Sequence, residues 1–281
     1  MNKILITGAN GFIGKHLIPQ LINEGYKVIG VNRKDGDVTN EITWEKFPKT
    51  DLVIHLAGKS FVPDSWQDPG AFIKCNLLGT VSALSYCINH NAGLIFLSSY
   101  LYGNPTFLPI PENAPLLDVN PYGLSKHLAE DVCLFFSRNF NIDITILRPF
   151  NVYGPYQSKD FLIPSIIRQI KNNEPIKVKD LEPKRDYIYI SDLVSAIIAA
   201  VKNLNGFHIY NIGSGTSYSV KELINEIQSV MSSQLAVYSE EVRRKDEIMD
   251  TIADIRLAGI ELGWTPKLTL AAGIMEMKEK H

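Results

Sequence analysis

Apolar residues in this chain alternate between two kinds of pattern. Short continuous runs, rich in isoleucine, leucine and valine, occupy residues 3–7, 27–31, 51–56, 93–97, 142–147 and 208–212. Between them apolar positions recur at helical spacing. Leu17, Ile18, Leu21 and Ile22 form one such stripe, and Phe72, Leu77, Leu78, Val81 and Leu84 lie on a helix expected over 69–90. A third stripe is Leu128, Val132, Phe135 and Phe136, with further helices expected over 161–170, up to about 201, and over 220–231. Buried-type strands alternating with amphipathic helices predict an α/β protein built on a doubly wound parallel sheet. Residues 104–120 are rich in proline and carry no period, so they read as a long loop. Beyond Pro155 the alternation loosens, and residues 171–183 are polar and irregular.

The turn after the first strand sharpens this to a Rossmann-type fold. Gly8, Gly11 and Gly14 stand between strand and helix in a G-x-x-G-x-x-G spacing, enclosing Asn10, Phe12 and Ile13. Such glycines let the backbone turn sharply and approach a pyrophosphate, while the helix N-terminus offers N–H groups and a positive dipole end. The second strand runs into Asn32-Arg33, where a carboxylate is expected if an NAD ribose is held through its 2'-hydroxyl. Arg33 suits a 2'-phosphate instead, which favours NADP(H) over NAD(H). Asp37-Val38 follows after few residues, a compact form of the adenine-side region. Leu56-Ala57-Gly58-Lys59 and Ser60 leave the third strand, where small residues make room for a cofactor across the sheet.

Charge and composition exclude several classes. The 281 residues are 45% hydrophobic with a formal net charge of -2, which suggests neither a nucleic-acid surface nor a membrane patch. Cys75, Cys87 and Cys133 are odd in number and, like the scattered histidines, lack metal-ligand spacing, so neither disulfides nor a metal are expected. The apolar run of residues 4–6 is too short for a signal peptide or membrane span, and a soluble cytoplasmic protein is expected.

Tyr122 and Lys126 stand four residues apart on the helix that Asn120-Pro121 begins, which puts phenol and ammonium on one face. A phenol beside a fixed cation can exchange a proton near neutral pH. Alone, the spacing is weak evidence and favours a tyrosine packed under a solvated lysine. Ser98, at the carboxyl end of the fourth strand, stands where ligands bind in open α/β sheets.

Taken in order, Thr7 to Gly14, Asp37, His55 to Gly58, Asn76 with Gly79-Thr80, Ser98, Tyr122 with Lys126, Arg148 to Pro155, Arg185-Asp186 and Asn211 to Gly215 resemble the extended short-chain dehydrogenase/reductase family of nucleotide-sugar epimerases, dehydratases and reductases. The resemblance implies that Tyr122 is the general acid/base, that Lys126 lowers its pKa and holds the nicotinamide ribose, and that Ser98 binds the sugar oxygen undergoing redox. Ser98 is selected over Ser99 because the family's serine lies five residues before the glycine of Tyr102-Gly103. It further implies that Pro149 borders the cofactor, that Ser60, Ser99 and Tyr100 face the sugar, and that Asn151, Arg185 and Arg244 meet the substrate diphosphate.

Ser99 and Tyr100 replace the Asp-Glu pair of the family's dehydratases, so dehydration is not expected. The stretch His55 to Trp66 and Asp180-Leu181-Glu182 look most like 4-keto-6-deoxyhexose reductases of the GDP-4-keto-6-deoxymannose type. The resemblance therefore implies NADPH-dependent reduction of a nucleoside-diphosphate 4-keto sugar. A 4-epimerase using NAD is the alternative, and a non-catalytic cofactor-binding scaffold or sensor a third. It implies a homodimer through the helices of 69–90 and 121–140. The expected division is a dinucleotide-binding domain over 1–155 plus about 184–218, and a substrate lobe over about 156–183 and 219–281.

Overall fold

A computed structural model describes residues 2–242 and 247–279. Eleven strands are assigned among them: β1 (Lys3–Thr7), β2 (Lys27–Val31), β3 (Leu52–His55), β4 (Gly93–Leu97), β5 (Ile144–Pro149), β6 (Asn151–Tyr153), β7 (Ile176–Val178), β8 (Lys184–Tyr189), β9 (Phe207–Ile212), β10 (Ser217–Ser219) and β11 (Val237–Ser239). Six form a wholly parallel sheet in the order β2-β1-β3-β4-β5-β9. Successive side chains of a strand point to opposite faces. Accordingly Ile4 and Ile6 pack on the side of the helices Phe12–Asn23 and Ile190–Lys202, whereas Leu5 packs with those of Gly79–His90 and Pro121–Phe140. Burial on both faces is why these strands read as unbroken apolar runs.

The winding reverses at β1, which has β2 on one side and β3 on the other, and ligands of open α/β sheets bind outside the carboxyl ends at such a switch point. Residues 32–51 add only the four-residue helix Glu41–Trp44, capped by Asn40, so β2 remains the sheet edge. The two strand ends at the reversal are tied together. The Thr7 hydroxyl accepts from Ala57 N at 3.1 Å and faces His55 Nδ1 at 2.8 Å. Burial pulls the His55 pKa down to about 3, so the ring is neutral.

The helix read over 69–90 is three consecutive pieces: Pro69–Ile73, a π-helical turn Lys74–Leu78, and Gly79–His90. The wide turn carries the buried Asn76. This stretch is long and apolar enough to cross a membrane, but half of it is buried, packed on β3, β4 and the helix Pro121–Phe140. The latter starts where the sequence indicates, with Asn120 Oδ1 accepting from Gly123 N at 2.8 Å and proline in the first turn. It ends at Asn141 in the left-handed conformation.

Several elements differ from the sequence reading. Asn151 to Tyr153 and Lys184 to Tyr189 do not extend the central sheet. They pair in parallel as β6 and β8, with β10 antiparallel on the other side of β8. Of the segment 184–218, β9 alone joins the six-stranded sheet. The polar stretch 171–183 contains β7, which pairs with β11, and helices form at Val62–Gln67, Arg256–Leu262 and Leu270–Glu279.

Candidate active site

At the switch point the glycine turn has the shape a pyrophosphate needs. Gly8 lies at φ +70°, and a Cβ there would meet the Leu56 and Ala57 backbone at 3.0 Å. One on Gly14 would stand 2.5 Å from the Ala9 carbonyl. The helix Phe12–Asn23 starts at Gly11 with no side chain capping it, which leaves its first-turn N–H groups for an anion. Phe12, Ile13, Leu56 and Ala57 are half-buried around this turn, whereas Asn10, Gly11, Gly58, Lys59 and Ser60 are exposed. Pro149 ends β5 and is buried. These residues fit a dinucleotide.

Beyond β2 the chain folds tightly. Asn32 N donates to Asp35 Oδ2 at 2.8 Å, and Asp37 Oδ1 accepts from Thr39 N, which lowers the Asp37 pKa. Val38 is half-buried and lies where a Cβ on Gly79 would touch it. Arg33 is exposed, and no hydrogen bond or ion pair among the described residues engages its guanidinium.

Ser98 continues β4, its N–H donating to Leu147 O at 2.8 Å, and its buried hydroxyl has no partner. Burial pushes the Tyr122 phenol up to about 12, with a hydrogen bond to Ser99 pulling against this. Lys126 is itself pulled down to about 8 by burial. Its ammonium donates to Leu97 O at 2.7 Å and lies 4.6 Å from the Phe96 ring centre. The lysine is turned to the end of β4, and desolvation dominates the phenol. A Cβ on Gly58 would come within 3.6 Å of Lys126 Nζ, so the ammonium borders the loop leaving β3.

Asn76 had no assigned role in the sequence reading, yet it joins these parts. Its Oδ1 accepts from Lys59 N at 2.8 Å. Its Nδ2 donates to Lys59 O and, at 2.8 Å, to Ser125 Oγ, which in turn donates to Tyr122 O. One amide thus fixes the loop after β3 against the first turn of the Tyr122 helix. The π-helical turn at Asn76 is the structural sign of such a site, and it is not visible in an apolar pattern.

The long loop 104–120 is fastened beside the site by a buried network. Arg148 Nη2 pairs with Glu130 at 2.6 Å, while Nη1 donates to Tyr102 OH and Glu112 O. The Tyr102 hydroxyl donates to Asn211 Oδ1 at 2.6 Å. Tyr100 stacks on Phe150 at 5.0 Å and donates to Asn151 Oδ1 at 3.2 Å, and Asn151 Nδ2 donates to Asp186 O. Arg185 is paired with Glu247, a residue the sequence reading passed over. Arg244 lies outside the described residues. Among the described residues no group of three or more His, Cys, Asp and Glu could hold a metal.

Residues 4–213 match the NAD dependent epimerase/dehydratase family. GDP-6-deoxy-D-mannose reductase of Pseudomonas aeruginosa is 29% identical over 95% of this chain and 93% of its own length. Among solved structures, UDP-glucose 4-epimerase of Thermotoga maritima with UDP-glucose superposes with a TM-score of 0.91 at 27% identity, covering 99% of this chain and 97% of that one. The protein RMD of Pseudomonas aeruginosa, complexed with NADPH, superposes at 0.89, also with 27% identity, covering 99% and 98%. Glycine turn and parallel sheet agree with this match, and the chain belongs to the NAD dependent epimerase/dehydratase family, the extended short-chain dehydrogenases/reductases whose members act on nucleotide sugars with NAD(P).

Proposed function

We propose that this enzyme reduces the C4 carbonyl of a nucleoside-diphosphate 4-keto-6-deoxyhexose with NADPH. The observation that carries the reading is Arg33, an exposed guanidinium without a protein partner in the place where NAD-holding proteins of this fold keep a carboxylate. It suits the 2'-phosphate that distinguishes NADPH. When bound, NADPH supplies the hydride. Gly8, Gly11 and Gly14 let the backbone approach the pyrophosphate, and Lys126 holds the nicotinamide ribose.

The Ser98 hydroxyl, buried without a partner, donates to the carbonyl oxygen and orients it. Tyr122, kept protonated by burial, gives its phenolic proton to that oxygen as it becomes an alkoxide. The tyrosinate left behind is stabilised by Lys126 and by Ser99. Asn151 and Arg185 hold the substrate diphosphate. The same reading includes a cytoplasmic location and a homodimer packed through the helices of 69–90 and 121–140, where Leu78, Ile88, Phe135 and Phe140 are exposed.

The second reading is a 4-epimerase, supported by the equal identity of this chain to an epimerase and to the NADPH-bound protein. The two separate in one assay. Purified enzyme that consumes NADPH stoichiometrically with a nucleotide-linked 4-keto sugar is a reductase. Interconversion of UDP-hexoses by protein carrying tightly bound NAD(H), without added cofactor, would overturn that reading.

A further inference from the structure

We propose that Glu247 is a positioning residue for substrate recognition: with the Ile248 carbonyl it holds the Arg185 guanidinium so that its remaining donors face the diphosphate. This rests on the reading above that Arg185 meets the diphosphate. An arginine has five N–H donors in a fixed planar fork. Arg185 Nη1 donates to Lys184 O at 2.8 Å and to Ile248 O, and Nη2 donates to Glu247 Oε1. Three donors are thereby used. Nε–H and one Nη2–H have no partner among the described residues, on a side chain only 15% exposed. Two unsatisfied donors on one guanidinium call for a ligand with two acceptor oxygens, which a phosphate supplies.

The placement is rigid because the segment carrying Glu247 is fastened on two sides. Lys184 N donates to Met249 O at 2.8 Å, and Ala253 N to Asp186 Oδ2 at 3.1 Å, which binds the segment to β8. Met249 N donates to Asn104 Oδ1, and Ile110 bridges Ala253, which binds it to the long loop beside Ser98. Asn151, opposite Tyr187 in the β6–β8 register, donates to the carbonyl of Asp186, the residue that follows Arg185. Glu247 therefore does more than neutralise a cation. It sets the plane of the fork, and the phosphate takes the donors that Glu247 leaves.

A competing role is possible to exclude, in which Glu247 occupies the phosphate's place and must be displaced. The two predict opposite signs. NADPH-loaded enzyme is titrated calorimetrically with GDP and UDP, and KM and kcat are measured with the corresponding sugar. Under positioning, Glu247→Ala and the shorter Glu247→Asp weaken diphosphate binding and raise KM about tenfold with kcat little changed, the scale of one charge-assisted hydrogen bond. Glu247→Gln, which keeps an acceptor at the same reach, stays within about twofold of wild type on the same scale. NADPH affinity is unchanged in all three. Unchanged or tighter diphosphate binding by the Ala and Asp variants, with Arg185→Ala still weakening it, would overturn the positioning role alone. Failure of the wild type to bind either nucleotide, or an Arg185→Ala variant that binds normally, would overturn the diphosphate reading beneath it.

Discussion

Replacing Lys126 by methionine tests whether burial governs the charge at the centre of the site. The side chain is 6% exposed, and its ammonium has one carbonyl at 2.7 Å and one ring face at 4.6 Å in place of water. Burial pulls its pKa from 10.5 to about 8. A folded-state value below the unfolded one means that the unfolded chain binds the extra proton between those limits. Stability contributed at this position is thus lowest below about pH 8 and recovers as pH rises towards 10.5. At about 1.4 kcal/mol per pH unit the burden at neutral pH is about 3 kcal/mol. Methionine fills similar space without a charge. Urea unfolding of cofactor-free wild type and Lys126→Met from about pH 7 to about pH 10 should show the wild type gaining on the variant by about 2 kcal/mol. Using the difference removes the buried tyrosines, which titrate in both proteins. A difference that stays flat over this range would mean that Lys126 titrates near 10.5, and the desolvation argument would fail.

Tyr122→Phe should lower turnover by orders of magnitude while NADPH affinity, measured by fluorescence titration, stays within a factor of a few; retained turnover would remove Tyr122 as proton donor. Arg33→Ala should weaken NADPH more than NADH in the same titration, and an equal loss for both would deny it the 2'-phosphate. Glu130→Ala leaves the Arg148 guanidinium buried without its carboxylate and should cost about 3 to 5 kcal/mol in urea unfolding. A cost below about 1 kcal/mol, the range of exposed pairs, would mean the pair is hydrated. Gly14→Ala drives a Cβ into the Ala9 carbonyl and should abolish cofactor binding, with normal binding refuting the close approach.

The parallel sheet was legible because its inner strands β1, β3, β4 and β5 are buried on both faces and read as largely apolar runs whatever their partners. The same logic explains the omissions. β6 to β8 and β10 to β11 are three to six residues long, carry polar side chains such as Asn151, Arg185 and Lys177, and are held by pairing partners far away in sequence. No local period marks a strand whose reason for being one lies about thirty to sixty residues away. The glycine turn was legible for a different reason, since only glycine satisfies both the positive φ of Gly8 and the contact at Gly14.

For the site, residue types were visible but their pairings were not. Tyr122 and Lys126 could be placed on one helix face by spacing alone, yet the structure gives the ammonium to Leu97 O. That partner ends β4, where the helix period could not report it. Asn76 and Glu247 are the same case carried further. Asn76 holds the Lys59 backbone and Ser125, Glu247 holds the Arg185 guanidinium, and such residues have no composition of their own to advertise them. The consequence concerns how specificity is distributed in this chain. In the proposed function chemistry sits on the end of β4 and the Tyr122 helix, which the central sheet fixes. Recognition, on the same proposal, sits on β6, β8 and the segment from 247, which are fixed to that sheet through Asp186, Asn211 and the loop 104–120. On that proposal a change of sugar or nucleotide is accommodated by altering the second set while Ser98, Tyr122 and Lys126 stay where they are, which leaves the substrate to be read from Arg185 and its neighbours.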